Sequence, residues 1–247
     1  MSLVVPLALL ALWEVGARLA IISPRYFPPP TAIGAGLVTH LAEGDLAAET
    51  LTTLTRLAVA WALGALAGVP LGLAMGRIHA VREAVDPYIA FLFPVPKIAM
   101  LPFLLIVLGV GEPAFVLTGA ISAFFQITIS TLAGVQTMDP RLLEVGRNYG
   151  AERGRLFLKI ILPAALPSIF TGLRLGLGLA LVTIVAVEFI TARSGLGHLV
   201  YRHWQMLSTV EMYGAFVLVG ALGLLLTRGL GALQRRLLSW QEESSAF

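Results

Sequence analysis

Six stretches of about 20 apolar residues, near 3–22, 55–76, 87–108, 113–134, 168–191 and 212–232, constrain this 247-residue chain more than anything else in it. A helix needs about that many apolar residues to cross the hydrocarbon of a bilayer, where every backbone polar group must be satisfied internally. Six crossings use roughly half of the chain and leave room for connecting loops. The composition agrees: 57% of residues are apolar and only 13% charged, about half the charged share of a soluble domain. The predicted fold class is an all-α membrane protein of six transmembrane helices, with residues 1–247 as a single domain. The first window has no basic stretch before it and carries Glu14 and Arg18 at a spacing that pairs on a helix, so it is expected to be a retained span rather than a cleaved signal.

Without cysteine, the chain has no disulfide, thiolate metal site, iron–sulfur cluster or cysteine nucleophile. A net charge of +3 is too small to suggest nucleic-acid binding. The distribution of charge says more. One set of loops, 77–86, 135–167 and 233–247 with Arg228 at its border, holds Arg77, Arg82, Arg141, Arg147, Arg153, Arg155, Lys159, Arg228, Arg235 and Arg236. The opposite set holds Arg25, Arg56, Arg193 and Arg202. The excess of basic residues places both termini and the 135–167 loop in the cytoplasm.

Packing is partly legible. Ala60, Gly64, Gly68, Gly72 and Gly76 recur every four residues in the second window, a small-residue series that lets another helix backbone come close. Ser122, Gln126, Thr128, Ser130 and Thr131 in the fourth window can bond between helices or line a wet path.

The longest cytoplasmic polar stretch begins Asp139-Pro140-Arg141-Leu142. Asp139 suits a helix N-cap, Pro140 the first helical position and Gly150 a left-handed stop. The helix between them carries Leu142, Val145 and Tyr149 on one side and Arg141, Glu144 and Arg147 towards another. Three readings fit such a helix: docking on a partner, lying in the headgroup layer, or serving as a solvated connector.

Its continuation narrows the choice. Glu144, Gly150, Ile160, Leu162 and Pro163 fall at the spacing E-x5-G-x9-I-x-L-P, which resembles the cytoplasmic loop of the inner-membrane permeases of bacterial ATP-binding-cassette importers. In the usual form two alanines follow the glutamate; here they are Val145 and Gly146. Phe27-Pro28-Pro29-Pro30, the run from Pro94 to Phe103 with Gly109-Val110-Gly111-Glu112, and Leu162–Pro167 with Gly172-Leu173-Arg174, Glu188 and Gly195-Leu196-Gly197 are similar to further segments of the permeases for sulfonates, taurine and nitrate.

The resemblance implies a membrane subunit that moves a small nutrient into the cytoplasm by alternating access. It implies a second permease copy, most simply an identical one, two cytoplasmic ATPase subunits that hold ATP and magnesium, and a periplasmic binding protein that delivers the solute. It also implies that the helix from Glu144 to Gly150 is the coupling element that docks on the ATPase, in the inner membrane of a bacterium. Permeases carrying thiamine, pyrimidine or riboflavin-type precursors look similar, so the solute stays open. No cofactor is expected in the chain itself: no segment reads G-x-x-x-x-G-K-[ST], and Gly109-Val110-Gly111 reads as a tight turn. No metal spacing or nucleophile–base constellation lies in a span, so the chain is not expected to be an enzyme. An ion-coupled secondary transporter is the alternative class, but no repeat relates the two halves.

Ionisable groups within spans are candidates for the solute path. Lys97, between Pro96 and Pro102, either faces an anionic solute or is neutralised by carbonyls at a broken helix. Glu188 and Arg56 both fall near outer ends, where they either pair or line the outer mouth. Gln126 is the further polar candidate, and Arg174 is expected to snorkel to the cytoplasmic surface. His40, His79, His198 and His203 are read as surface residues.

Overall fold

The computed structural model describes residues 4–43, 45–149, 151 and 153–238, and these form helices without any strand. In chain order they are α1 (Val4–Arg18), α2 (Pro30–Glu43), α3 (Asp45–Arg77), α4 (His79–Leu92), a 3-10 turn (Lys97–Met100), α5 (Leu101–Leu108), α6 (Glu112–Gln136) and α7 (Pro140–Asn148). Then α8 (Arg153–Leu156) runs through a π-helical turn (Phe157–Ile161) into α9 (Leu162–Ile190), followed by α10 (Leu196–Gln205) and α11 (Thr209–Leu237).

Four continuous helices are long and apolar enough to cross a membrane: Leu46–Arg77, Glu112–Gln136, Gly154–Ile190 and Thr209–Leu237. The third window makes a fifth candidate, broken between α4 and α5 with a bend of 93°. Among the described residues the first window forms the 15-residue α1, which does not reach the length of a full crossing. Two of the long helices outrun their apolar windows. α3 begins ahead of residue 55, through Glu49, and the run Gly154–Ile190 begins ahead of residue 168, through Lys159, because helical hydrogen bonding continues where hydropathy drops. α2 and α10 lie in segments read from sequence as loops; with 14 and 10 residues both are too short to cross a membrane, and α10 is also polar.

The helices group into two compact units, residues 1–55 with 185–222 and residues 56–184 with 223–247, α3, α9 and α11 contributing to both. In the second unit α6 is the central helix. Built on Gly68, a Cβ would stand 3.0 Å from Phe124 O of α6; on Gly72 it would meet Thr131 Cβ at 2.6 Å, and on Gly76 Val135 Cβ at 2.5 Å. The four-residue stripe is thus the seam on which α3 and α6 touch. α9 approaches α6 in the same way, through Gly172 against Ser130 and Gly176 against Ile127. Across this seam Ser122 and Thr183 share a hydrogen bond of 2.8 Å, while Thr128 bonds back to Phe124 O within α6.

In the first unit a core of Leu46, Leu196, Leu199, Val200 and Ala215 joins α3, α10 and α11. Glu14 and Arg18 pair as their spacing predicts, and Glu14 also accepts from the backbone and hydroxyl of Thr31, tying α1 to the start of α2. Trp13 packs edge-on against Tyr213, and Thr209 donates to Arg25 O.

Candidate functional site

The segment 139–163 folds as a capped helix hung from the bundle by one face. Asp139 Oδ1 accepts the Arg141 N–H at 2.9 Å, and Pro140 opens α7, where its missing N–H costs nothing. Tyr149 closes the helix, and Ala151 N–H returns to Gly146 O; Gly150, expected as the stop, lies outside the described residues. Gly146 is buried because Ile160 Cδ1 lies where its Cβ would be, so the isoleucine of the sequence spacing packs directly on α7. Leu143 joins the cluster of Val135, Ile161 and Ile169. The other stripe faces outward: Leu142, Val145 and Tyr149 are 46%, 51% and 89% exposed. Arg141, Glu144 and Arg147 are exposed beside them. Leu162 N–H bonds to Phe157 O, a π-type step just before Pro163, which has no N–H to give.

Lys97 sits in the break between α4 and α5. Its Nζ donates to the carbonyls of Leu92, Phe93 and Val95, each at 2.8 Å, and lies 4.4 Å from the centre of the Phe125 ring of α6. The end of α4 leaves carbonyls without helical partners, and the ammonium supplies the donors. Gln126 is half-buried next to Phe125 and donates to Ser130 at 3.3 Å. Arg56 is buried, 3% exposed, and grips Glu112 with two bonds, Nε to Oε2 at 2.7 Å and Nη2 to Oε1 at 2.5 Å. Glu112, at the first residue of α6, was not foreseen as that partner. The available signal was a carboxylate at a helix N-terminus near an expected outer end. Arg174 donates to Gln234, in the last turn of α11, at 2.5 Å, so its side chain reaches towards the end of α11 that carries Arg235 and Arg236.

Glu188 is fully buried in the first unit. The Thr53 hydroxyl donates to its carboxylate at 2.9 Å and Gly197 N–H at 3.0 Å, while Leu196 N–H donates to Thr53 Oγ1 at 2.8 Å. Gly195 N–H is bound by Glu49. Three successive amides at the start of α10 are therefore met by two carboxylates and a hydroxyl borrowed from α3 and α9. The Gly-Leu-Gly triplet follows from this. Gly195 has φ +102° and its Cβ position is filled by the Glu188 carboxylate; at Gly197 a Cβ would strike Val185 O.

The histidines divide. His79 is exposed and lies 3.1 Å from Glu83. His40 and His203 are instead half-buried with ring centres 6.2 Å apart, contrary to the surface reading. Among the described residues no group of His, Asp or Glu could hold a metal ion.

Comparison with known proteins places these elements in a family. Residues 68–239 match the family described as the binding-protein-dependent transport system inner membrane component. The chain is 37% identical over 240 residues to the taurine transport system permease protein of Escherichia coli K12, covering 95% of this chain and 87% of that protein. It is 30% identical to a putative aliphatic sulfonates transport permease protein of Bacillus subtilis, covering 97% and 87%. Its fold is similar to that of a chain of the MetNI methionine ABC transporter in an inward-facing conformation, with a TM-score of 0.69 at 22% identity over 78% of this chain and 95% of that one. Membership of the family sets aside the ion-coupled alternative. The chain belongs to the inner-membrane components of binding-protein-dependent transport systems, the non-catalytic permease subunits of ATP-binding-cassette importers, for which separate partner subunits hydrolyse ATP.

Proposed function

We propose that this permease imports a small organosulfonate of the taurine type, as a pair of identical copies above two ATPase subunits, with both termini and α7 in the cytoplasm. The solute class rests on the names of its relatives, and the orientation on the distribution of Lys and Arg. The coupling role rests on α7. Its outward stripe of Leu142, Val145 and Tyr149 has no partner surface among the described residues, while Gly146 and Leu143 fix the helix to the foot of α9. A helix of nine residues presenting that much apolar surface gains stability from a cleft that covers it. Closure of the ATPase pair then pushes on α7, and the continuous run from α8 through α9 carries the displacement into the membrane. Lys97, Glu188 and Arg56, which hold helix ends in place, position the bundle, and Gln126, half-buried on α6 with a bond of 3.3 Å to Ser130, is the preferred path candidate.

Co-purification of the permease with its ATPase tests the docking. Glu144→Arg, which reverses a charge on the exposed helix, is expected to release the ATPase while the permease stays folded; retention of a coupled complex would refute the docking role. Uptake of taurine by the complete importer in proteoliposomes, compared with thiamine-type and nitrate solutes, tests the solute class.

A further inference from the structure

We infer that the cavity between α2, the start of α3, α10 and the start of α11 is a binding site for a small zwitterion, with the acidic group on Arg202 and the ammonium on Glu211. The cavity measures about 120 Å³, room for about four waters at roughly 30 Å³ each or for one solute of similar size. Leu37 and Leu199 wall it, and the polar groups of His40, Arg202, His203 and Glu211 line it. Two of these groups, His203 and Arg202, keep hydrogen-bonding capacity open. His203 Nδ1 is buried without a hydrogen-bond partner among the described residues, and Arg202 makes no hydrogen bond or ion pair among them. Glu211 has His40 Nε2 at 3.7 Å, too long for a hydrogen bond. A buried nitrogen left open beside an unpaired guanidinium and a carboxylate calls for an occupant that supplies both donors and acceptors.

The charge balance selects the class. Arg202 offers a fork suited to a carboxylate or sulfonate, whereas Glu211 would repel a simple anion. A zwitterion satisfies both, and the absence of a metal-holding group among the described residues leaves no claim for a divalent cation. The inference deepens the proposed function, on which it rests for taurine as the probe.

The test is equilibrium binding to the permease–ATPase complex in nanodiscs, without the binding protein, using taurine and propane-1-sulfonate, which has the same shape but a methyl in place of the ammonium. Taurine is expected to bind saturably. Glu211→Gln should weaken taurine by about tenfold or more and leave propane-1-sulfonate unchanged, and Arg202→Gln should weaken both. Gly214→Val keeps the charges but fills the space. The first added carbon meets Leu37 at 3.8 Å, an ordinary contact, so the fold tolerates it and binding of both should be lost. No saturable binding, or taurine binding that Gly214→Val and both charge variants leave unchanged, would overturn the inference and mean a cavity holding water only. Uptake by the wild-type importer judges the solute class separately, so failure of that reading is distinguishable from failure of the site.

Discussion

α7 and α10 are both short helices that carry a connection between long ones, and they obtain their N-terminal caps in opposite ways. α7 is capped by the residue immediately before it, Asp139, and leaves its apolar stripe in the open. α10 is capped by Glu49, Thr53 and Glu188, of which the first two lie 146 and 143 residues away in sequence. Leu196, Leu199 and Val200 are buried in the core of its own unit. A locally capped helix can be displaced as a body while its own hydrogen bonds stay intact. A helix capped from neighbouring elements cannot move without opening those bonds. The first arrangement suits an element that transmits force, the second one that holds position.

The sharpest way to break this contrast is Glu188→Ala. It leaves Gly197 N–H and the Thr53 hydroxyl without their acceptor in a fully buried place. The expected loss is roughly 3–5 kcal/mol, a fall in melting temperature on the order of 10 °C for the detergent-purified protein. Glu144→Arg on α7 is expected to leave the melting temperature unchanged within the usual scatter of surface substitutions, about 0.5 kcal/mol. Equal shifts for the two would erase the distinction.

Lys97 comes next, since it also ties a helix end to groups outside the helical ladder. In Lys97→Met the carbonyls of Leu92, Phe93 and Val95 lose the ammonium, and that of Leu92 keeps the Val95 N–H at 3.2 Å. The expected cost is about 2 kcal/mol, with Lys97→Arg recovering part of it. Should Lys97→Met keep its melting temperature and lose only solute uptake, the lysine would belong to the path rather than to the helix break.

The same contrast explains how much could be read from the sequence. Everything in α7 is local: Asp139-Pro140 announces the start, and the spacing of Glu144, Ile160, Leu162 and Pro163 carries the family resemblance. The glycine stripe of α3 was equally legible, because its period belongs to one helix. Glu188 and Gly195-Leu196-Gly197 were each noticed, but no pattern within a short window could say that the carboxylate occupies the space the glycine leaves free. The pairing of Arg174 with Gln234, 60 residues away, is out of reach for the same reason, and for that of Arg56 with Glu112, 56 residues away, the one signal is the carboxylate at the start of α6. α10 escapes hydropathy because its burial comes from tertiary packing, and α2 because its 14 residues are too short to read as a span.

A smaller effect is expected at the α7 cap. Asp139→Ala removes the acceptor for Arg141 N–H and should cost about 1 kcal/mol of local helix stability. That loss is too local to show in global melting. Faster hydrogen exchange over 141–148 should reveal it, together with weaker stimulation of ATP hydrolysis by solute-loaded binding protein. Asp139→Asn, which keeps a capping oxygen, should restore both. A lowered melting temperature without faster exchange would show that α7 is integrated in the way α10 is.

The smallest effect belongs to His203 on α10. Burial lowers its pKa below the ordinary 6.5; Arg202 lowers it further, with His40 acting in the same direction and Glu211 opposing. The folded state thus favours the neutral ring and binds fewer protons than the unfolded chain just below pH 6.5. Its contribution is fully present above the unfolded value and is lost as pH falls through the lowered folded one. Between pH 7.5 and 5.5 the melting temperature should therefore decline, and His203→Gln should flatten part of that decline. Asp139→Ala on α7 should leave the decline unaltered, because the titrating group sits in the other helix. A decline that His203→Gln does not change would assign the pH response elsewhere and remove this difference between the two helices.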